Sequence, residues 1–217
     1  MCNFDHEHKI CKKAMSWRNT IRIVFALGQI YLLAHWYRLY GWGMFEQYLT
    51  NWGIVMVLIS LCASAYLPYC KDYKKCPGLM AFNHIMLSLA IVTEIIVSIV
   101  YWSVIHKDVM EKSKGNSELM FYNYISHILP NIACAYNFLV TDFLFYRGYS
   151  RFLFIMTGVY LFVNFLKTKM TGNVAYWFLR FDDLLSVYIC IFFLSLAVFL
   201  PYGLANLTEF LKGRSLH

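Results

Sequence analysis

Long apolar runs broken by short polar stretches dominate the chain. A helix needs roughly 17–25 mostly apolar residues to cross a bilayer. Six segments meet or approach that length: about 20–40, 48–69, 80–105, 121–146, 150–170 and 183–206. Lipid offers the backbone no hydrogen-bond partners, so each segment is expected to be a helix. The pattern predicts an all-α, polytopic membrane protein: one domain over 1–217 with six transmembrane helices and both termini cytosolic. The connections are short, and neither an internal repeat nor a low-complexity tract is visible. Arg22 and Arg38 lie near the ends of the first segment, where long side chains can snorkel to the interface. The second segment carries no charge, and the third carries one internal acid, Glu94.

Composition sharpens this picture. Apolar residues make up 60% of the chain, against about 45–50% in soluble domains, which excludes disorder and an ordinary soluble fold. Aromatics at 19% suit two membrane–water interfaces. The formal charge of +7 is read as basic residues flanking spans beside anionic headgroups, with no nucleic-acid partner. Twelve lysines and arginines fall on the side of both termini and seven on the other, together all 19; the positive-inside rule then sets the orientation. The N-terminal stretch is polar and charged, so the first span is expected to direct insertion itself. Localisation is an integral membrane, endoplasmic reticulum or plasma membrane. The seven cysteines are scattered and odd in number, which suggests neither a disulfide framework nor a zinc site. No metal or cofactor is implied. His35, His84 and His127 do not pair at matched depths, as a di-haem carrier would need.

Polar residues inside spans are costly and often mark function. In the fourth segment Asn123, His127, Asn131, Cys134, Asn137, Thr141 and Asp142 fall within an arc of about 140° at about 100° per residue. Such a stripe can simply bond neighbouring helices. The second segment opens Tyr48-Leu49-Thr50-Asn51-Trp52. A threonine there is ordinarily a helix cap. Topology adds a second reading, because segments two and four start on the same side. Thr50 and His127 then differ in depth by about one helical turn. A Thr hydroxyl needs a base to become a nucleophile, and His is the usual base at neutral pH. Asn51 and Asn131 are candidate oxyanion donors. Glu94 and His84 are ten residues apart, about 15 Å along a helix, too far to pair directly. Asn206-Leu207-Thr208 fits a glycosylation sequon at a predicted cytosolic helix end, where it would go unused.

Six spans in this length, Leu49-Thr50-Asn51-Trp52, His127 early in span four, and Thr171-Gly172-Asn173-Val174-Ala175-Tyr176-Trp177-Phe178-Leu179 before the last span together resemble the androgen-induced protein family of membrane hydrolases. The Leu-Thr-Asn-Trp form also resembles the related rolling-stone-like proteins. The resemblance implies hydrolysis of fatty-acid esters of hydroxy fatty acids within the bilayer. Thr50 would be the nucleophile and His127 the second essential residue. Many members carry a carboxylate about ten residues after the histidine; here Asn137 stands there, and the nearest acid is Asp142. Residues expected to contact substrate are Asn51, Trp52, Asn123, Asn131 and Tyr176. Partners are membrane lipids, as both substrate and solvent. The alternative is a non-catalytic membrane subunit, or an adhesion or fusion component, with protein partners in a larger membrane assembly.

Overall fold

The computed structural model describes residues 4–41, 45–69, 77–141 and 143–212, with side chains described from Trp17 to Phe210 within them. Among the described residues there is no strand. The helices are α1 (Phe4–Tyr40), α2 (Leu49–Tyr66), α3 (Pro77–Val100), α4 (His106–Lys112), α5 (Ser117–Val140), α6 (Ser150–Thr171) and α7 (Leu184–Lys212). A π turn, Tyr101–Ile105, joins α3 to α4 in one continuous rod. A single 3-10 turn, Phe45–Gln47, precedes α2. Helices α1, α2, α3 and α5 pack on one another as a four-helix core, with α2 against the other three. Helices α6 and α7 pair with each other and lean on α3.

Four segments are long and apolar enough to cross a membrane: Leu49–Tyr69, Pro77–Lys112, Arg147–Thr171 and Leu184–Phe210. They mark an integral membrane protein. Helices α1 and α5 fall short in apolarity for a structural reason. They carry much of the polar material that fills the bundle: Asn19, Arg22, Gln29 and His35 on α1, and Ser126, His127 and Asn137 on α5, all buried.

Arg22 is the clearest departure from expectation. It does not snorkel, because α1 begins upstream and places it about five turns into the helix. It is 6% exposed. Its Nε donates to Asn137 Oδ1 at 2.9 Å, Nη1 to Asn19 Oδ1 at 2.9 Å and to the Ser64 carbonyl at 3.3 Å, and Nη2 to Thr141 Oγ1 at 2.9 Å. Asn137 Nδ2 donates onward to Ser60 and Ser64 Oγ at 3.0 and 3.1 Å, and Ser64 to Asn83 Oδ1 at 3.0 Å. One network therefore links α1, α2, α3 and α5. Arg38 behaves as expected: it is exposed and pairs with Glu118.

Boundaries also shift. The expected span 121–146 ends as α5 at Val140, where Thr141 turns extended (φ −101°, ψ 138°). Phe143 and Phe145 then alternate inward and are buried, with the period of two that extended backbone imposes. The Phe145 amide donates to Thr208 Oγ1 at 3.4 Å. Asp142 lies outside the described residues. The third segment runs on through the π turn to Lys112.

Glu94 is buried against α2. Its Oε2 accepts from Asn131 Nδ2 at 3.3 Å, and its Oε1 has no hydrogen-bond partner among the described residues. A Cβ built on Gly53 would overlap Oε1 and come within 3.2 Å of Cδ, so glycine is what lets α2 and α3 close over the carboxyl. His84 sits edge-on to Phe143, ring centroids 5.2 Å apart. Gly53→Ala is expected to destabilise the protein by about 1–3 kcal/mol through overpacking. The cost should shrink in a Glu94→Ala background, a coupling that thermal denaturation of the double-mutant cycle in detergent would measure.

Candidate functional site

At the end of the bundle away from the Arg22 network, a cavity of about 690 Å³ opens. Its walls come from the end of α1 (Trp36, Tyr40), the start of α2 (Tyr48, Leu49, Thr50), the π turn (Tyr101, Ile105) and the second and third turns of α5 (Tyr122, Asn123, Ser126, His127). Residues 174–180 form its roof. The roof is held at both ends. Gly172 (φ 71°) ends α6 in the left-handed region that glycine adopts without strain. The Asn173 carbonyl accepts from Gln47 Nε2 at 3.0 Å. At the other end Ser186 Oγ accepts from the amides of Arg180 and Phe181 at 3.1 and 3.0 Å. Asp183 Oδ1 accepts from the Ser186 amide at 2.8 Å. That bond holds the Asp183 carboxyl below its ordinary value, as expected for an acid at a helix N-terminus.

Thr50 is the second residue of α2 and is not its cap. The cap position belongs to Tyr48, extended at φ −97°, ψ 118°, with no side-chain capping bond. The Leu49 amide donates to Tyr176 Oη at 3.1 Å, and the Asn51 amide to the Tyr48 carbonyl at 3.0 Å. Between them, the Thr50 amide and hydroxyl carry no hydrogen bond among the described residues. Burial pushes the Tyr176 phenol up, so it remains a neutral acceptor for Leu49 throughout the physiological range.

His127 is 9% exposed and lies on the same cavity. Its ring stacks on Tyr101, centroids 3.5 Å apart and planes inclined by 16°. Its Nδ1 is buried without a hydrogen-bond partner among the described residues. The Tyr101 hydroxyl is likewise buried and unpaired, and His106 stands edge-on to the Tyr101 ring at 5.3 Å and 70°. The π turn that carries Tyr101 is of a kind often found at functional sites.

The other sequence candidates divide. Tyr176 and Asn123 line the cavity with Thr50 and His127; Asn123 Nδ2 donates to Ser113 Oγ at 3.2 Å. Asn51, Trp52 and Asn131 are not on it. Asn51 is buried, its Nδ2 donating to the Phe45 carbonyl at 2.9 Å. Trp52 Nε1 donates to the Glu46 carbonyl at 2.9 Å, and its ring meets Tyr160 edge-on. Both pin the Phe45–Gln47 turn to α2. Asn131 Nδ2 donates to Ser98 Oγ at 2.8 Å and to the His127 carbonyl at 2.9 Å. It lines a separate cavity of about 250 Å³ with Glu94, Cys134 and Thr208. Neither asparagine offered as an oxyanion donor thus reaches the Thr50–His127 cavity. Glu46 pairs with Lys167 on α6. Burial favours the neutral carboxyl there, but Lys167 and the local backbone outweigh it and hold Glu46 below its ordinary value.

Sequence reasoning missed Tyr101 and Trp36. Both read as ordinary aromatics in apolar runs, and a π turn leaves no mark in residue type. Among known proteins, the chain matches no family model, no curated protein and no solved structure.

Tyr176→Phe removes the acceptor of the Leu49 amide while keeping the ring. Losing one such bond costs about 1 kcal/mol. That is a fall of about 2–4 °C in Tm for a chain of this size. Limited proteolysis should show faster cleavage within residues 172–183.

Proposed function

We propose that this protein is an intramembrane lipid ester hydrolase. Thr50 is the nucleophile and His127 its base, and the substrates are fatty-acid esters of hydroxy fatty acids. The observation that carries the reading is that Thr50, free of capping, and His127 line one cavity, open at the end of the bundle, with a mostly aromatic and aliphatic wall. A cavity of this size and character suits a largely apolar ligand held by a few polar groups. His127 Nε2 takes the proton from Thr50 Oγ1 as that oxygen attacks the ester carbonyl. The negative charge develops beside the unpaired Thr50 amide at the α2 N-terminus, where the helix dipole favours it. Collapse breaks the ester C–O bond, and the proton on His127 passes to the departing hydroxy-acid oxygen. Water then attacks the acyl-threonine, with His127 again as base, and frees the fatty acid and Thr50.

The membrane topology completes the proposal. Helices α1 and α5 span 37 and 24 residues, about 55 and 36 Å at about 1.5 Å per residue. They cross the membrane with their polar faces turned into the bundle, giving six spans. The cavity is built from residues next to the three connections 41–48, 113–116 and 172–183, which the Lys/Arg bias puts on the non-cytosolic side. The membrane is that of the endoplasmic reticulum or the cell surface.

Thr50→Ala and His127→Ala should each lower turnover of a palmitoyl- or oleoyl-hydroxy-fatty-acid ester by at least about 10³-fold while Tm stays near wild type. Near-normal turnover in either variant refutes the assignment. If wild-type protein lacks turnover and purifies as a stoichiometric complex, the non-catalytic subunit reading is correct instead. For topology, a glycosylation acceptor placed in residues 113–116 should be modified in microsomes. Native Asn206, and acceptors added at either terminus, should remain bare.

A further inference from the structure

In a nucleophile–base pair the base is usually oriented by a third group, most often a carboxylate bonded to the far ring nitrogen. Among the described residues no such group bonds the His127 ring. Its Nδ1 is buried and has no hydrogen-bond partner among them. Glu94 approaches only through Asn131, and the atom Asn131 contacts is the His127 main-chain carbonyl, not the ring. Position 137, ten residues on, is an asparagine occupied with Arg22, Ser60 and Ser64.

What does touch the imidazole is the flat face of Tyr101, at 3.5 Å between centroids and 16° between planes. A histidine ring chooses its direction mainly by rotation about Cβ–Cγ. Any sizeable rotation there would tilt the ring out of parallel and drive its edge into the phenol face. Close packing on one face can therefore set the plane of the ring without a hydrogen bond. The phenol is itself held. His106 packs edge-on to it at 5.3 Å, and Trp102 does so at 5.0 Å. Trp102 and Tyr124 in turn pack on His106 at 4.8 and 5.4 Å. The π turn that starts at Tyr101 adds a residue to the turn and so re-aims the side chains around it relative to an unbroken helix.

We propose that Tyr101 is the positioning residue for His127, its ring face holding the plane of the imidazole, which is the orienting part of what a carboxylate does in a Ser–His–Asp triad. This rests on the reading of Thr50 and His127 as nucleophile and base. The active part of Tyr101 is its face, so the hydroxyl is dispensable and the aromatic ring is not.

The test compares Tyr101→Phe with Tyr101→Leu in purified full-length protein, using a palmitoyl-hydroxy-fatty-acid ester. The phenylalanine variant should keep kcat within about twofold. The leucine variant should lose about tenfold or more in kcat with KM little changed, because orientation acts on the chemical step and not on binding. Tm reports folding, and Tyr101→Met replaces the leucine variant if that one is unstable. A second arm reads the stacking directly. Free imidazole should restore part of the turnover of His127→Ala when Tyr or Phe stands at 101, and fail to do so when Leu stands there. Wild-type kcat in Tyr101→Leu overturns the inference, as does equal imidazole rescue with Leu at 101. So does a Tyr101→Phe variant as impaired as Tyr101→Leu, since the hydroxyl would then be the active group. If imidazole rescues no variant, the kcat comparison decides alone. Failure here is separable from failure of the hydrolase reading. Full activity in Thr50→Ala sinks the site, whereas inactive Thr50→Ala and His127→Ala beside a fully active Tyr101→Leu sinks only the role of Tyr101.

Discussion

A guanidinium buried among membrane-crossing helices must find every partner inside the protein. Moving a charge from water into a low-dielectric interior is costly, and each N–H left unbonded there adds to the cost. Arg22 meets this constraint with four oxygen atoms, from Asn19, Ser64, Asn137 and Thr141. Satisfying it pulls α1, α2 and α5 together at one level, and Ser64 extends the link to Asn83 on α3. The four-helix core is thus cross-linked by directional bonds, which choose between neighbours more sharply than apolar contacts do. Removing one member would strand several others, so the network specifies one arrangement of the four helices.

With one end of the bundle drawn together, the other is free to separate. There the walls are held by rings and by the turns that flank the helices. Trp36 packs against Tyr40, Tyr48 and Tyr122. Gln47, whose carbonyl accepts from Tyr160 Oη and Asn164 Nδ2, fastens the Phe45–Gln47 turn to α6. The space left between these contacts is the large cavity. Polar groups on its wall without a hydrogen bond among the described residues include the Thr50 hydroxyl, His127 Nδ1, the Tyr101 hydroxyl and Trp36 Nε1, and the charged Asp108 and Lys112 also line it. Asn51 and Trp52 show the distinction well. They follow Thr50 directly in sequence, yet their side-chain N–H groups hold the turn, while the Thr50 hydroxyl carries no hydrogen bond among the described residues.

Much of the fold was legible from residue order. The charge-free second segment and Thr171-Gly172 reappear as α2 and as the left-handed end of α6, because length, apolarity and glycine act locally. The polar stripe of the fourth segment is real through Asn137, and it divides: Asn123 and His127 face the cavity, Asn131 serves Glu94 and Ser98, and Asn137 serves Arg22. Periodicity places these residues on one face of a helix. It does not say which neighbour each of them meets along its length.

The sequence by itself determined that this is a helical membrane protein, that its polar groups turn inward, and that Thr50 stands in the first turn of its helix. Those properties follow from a period of 3.6 residues and from the cost of exposing polar groups to lipid. Helix α5 starts at Ser117, earlier than the expected 121, and so sets His127 ten residues in. Only the tertiary structure decided that Arg22 is a buried hub, that α5 stops at Val140, that Gly53 leaves room for Glu94, and that Tyr101 lies flat on His127. Each of those depends on contacts between residues dozens of positions apart, or on a widened turn that no residue type announces, and such distances are set only when the helices pack.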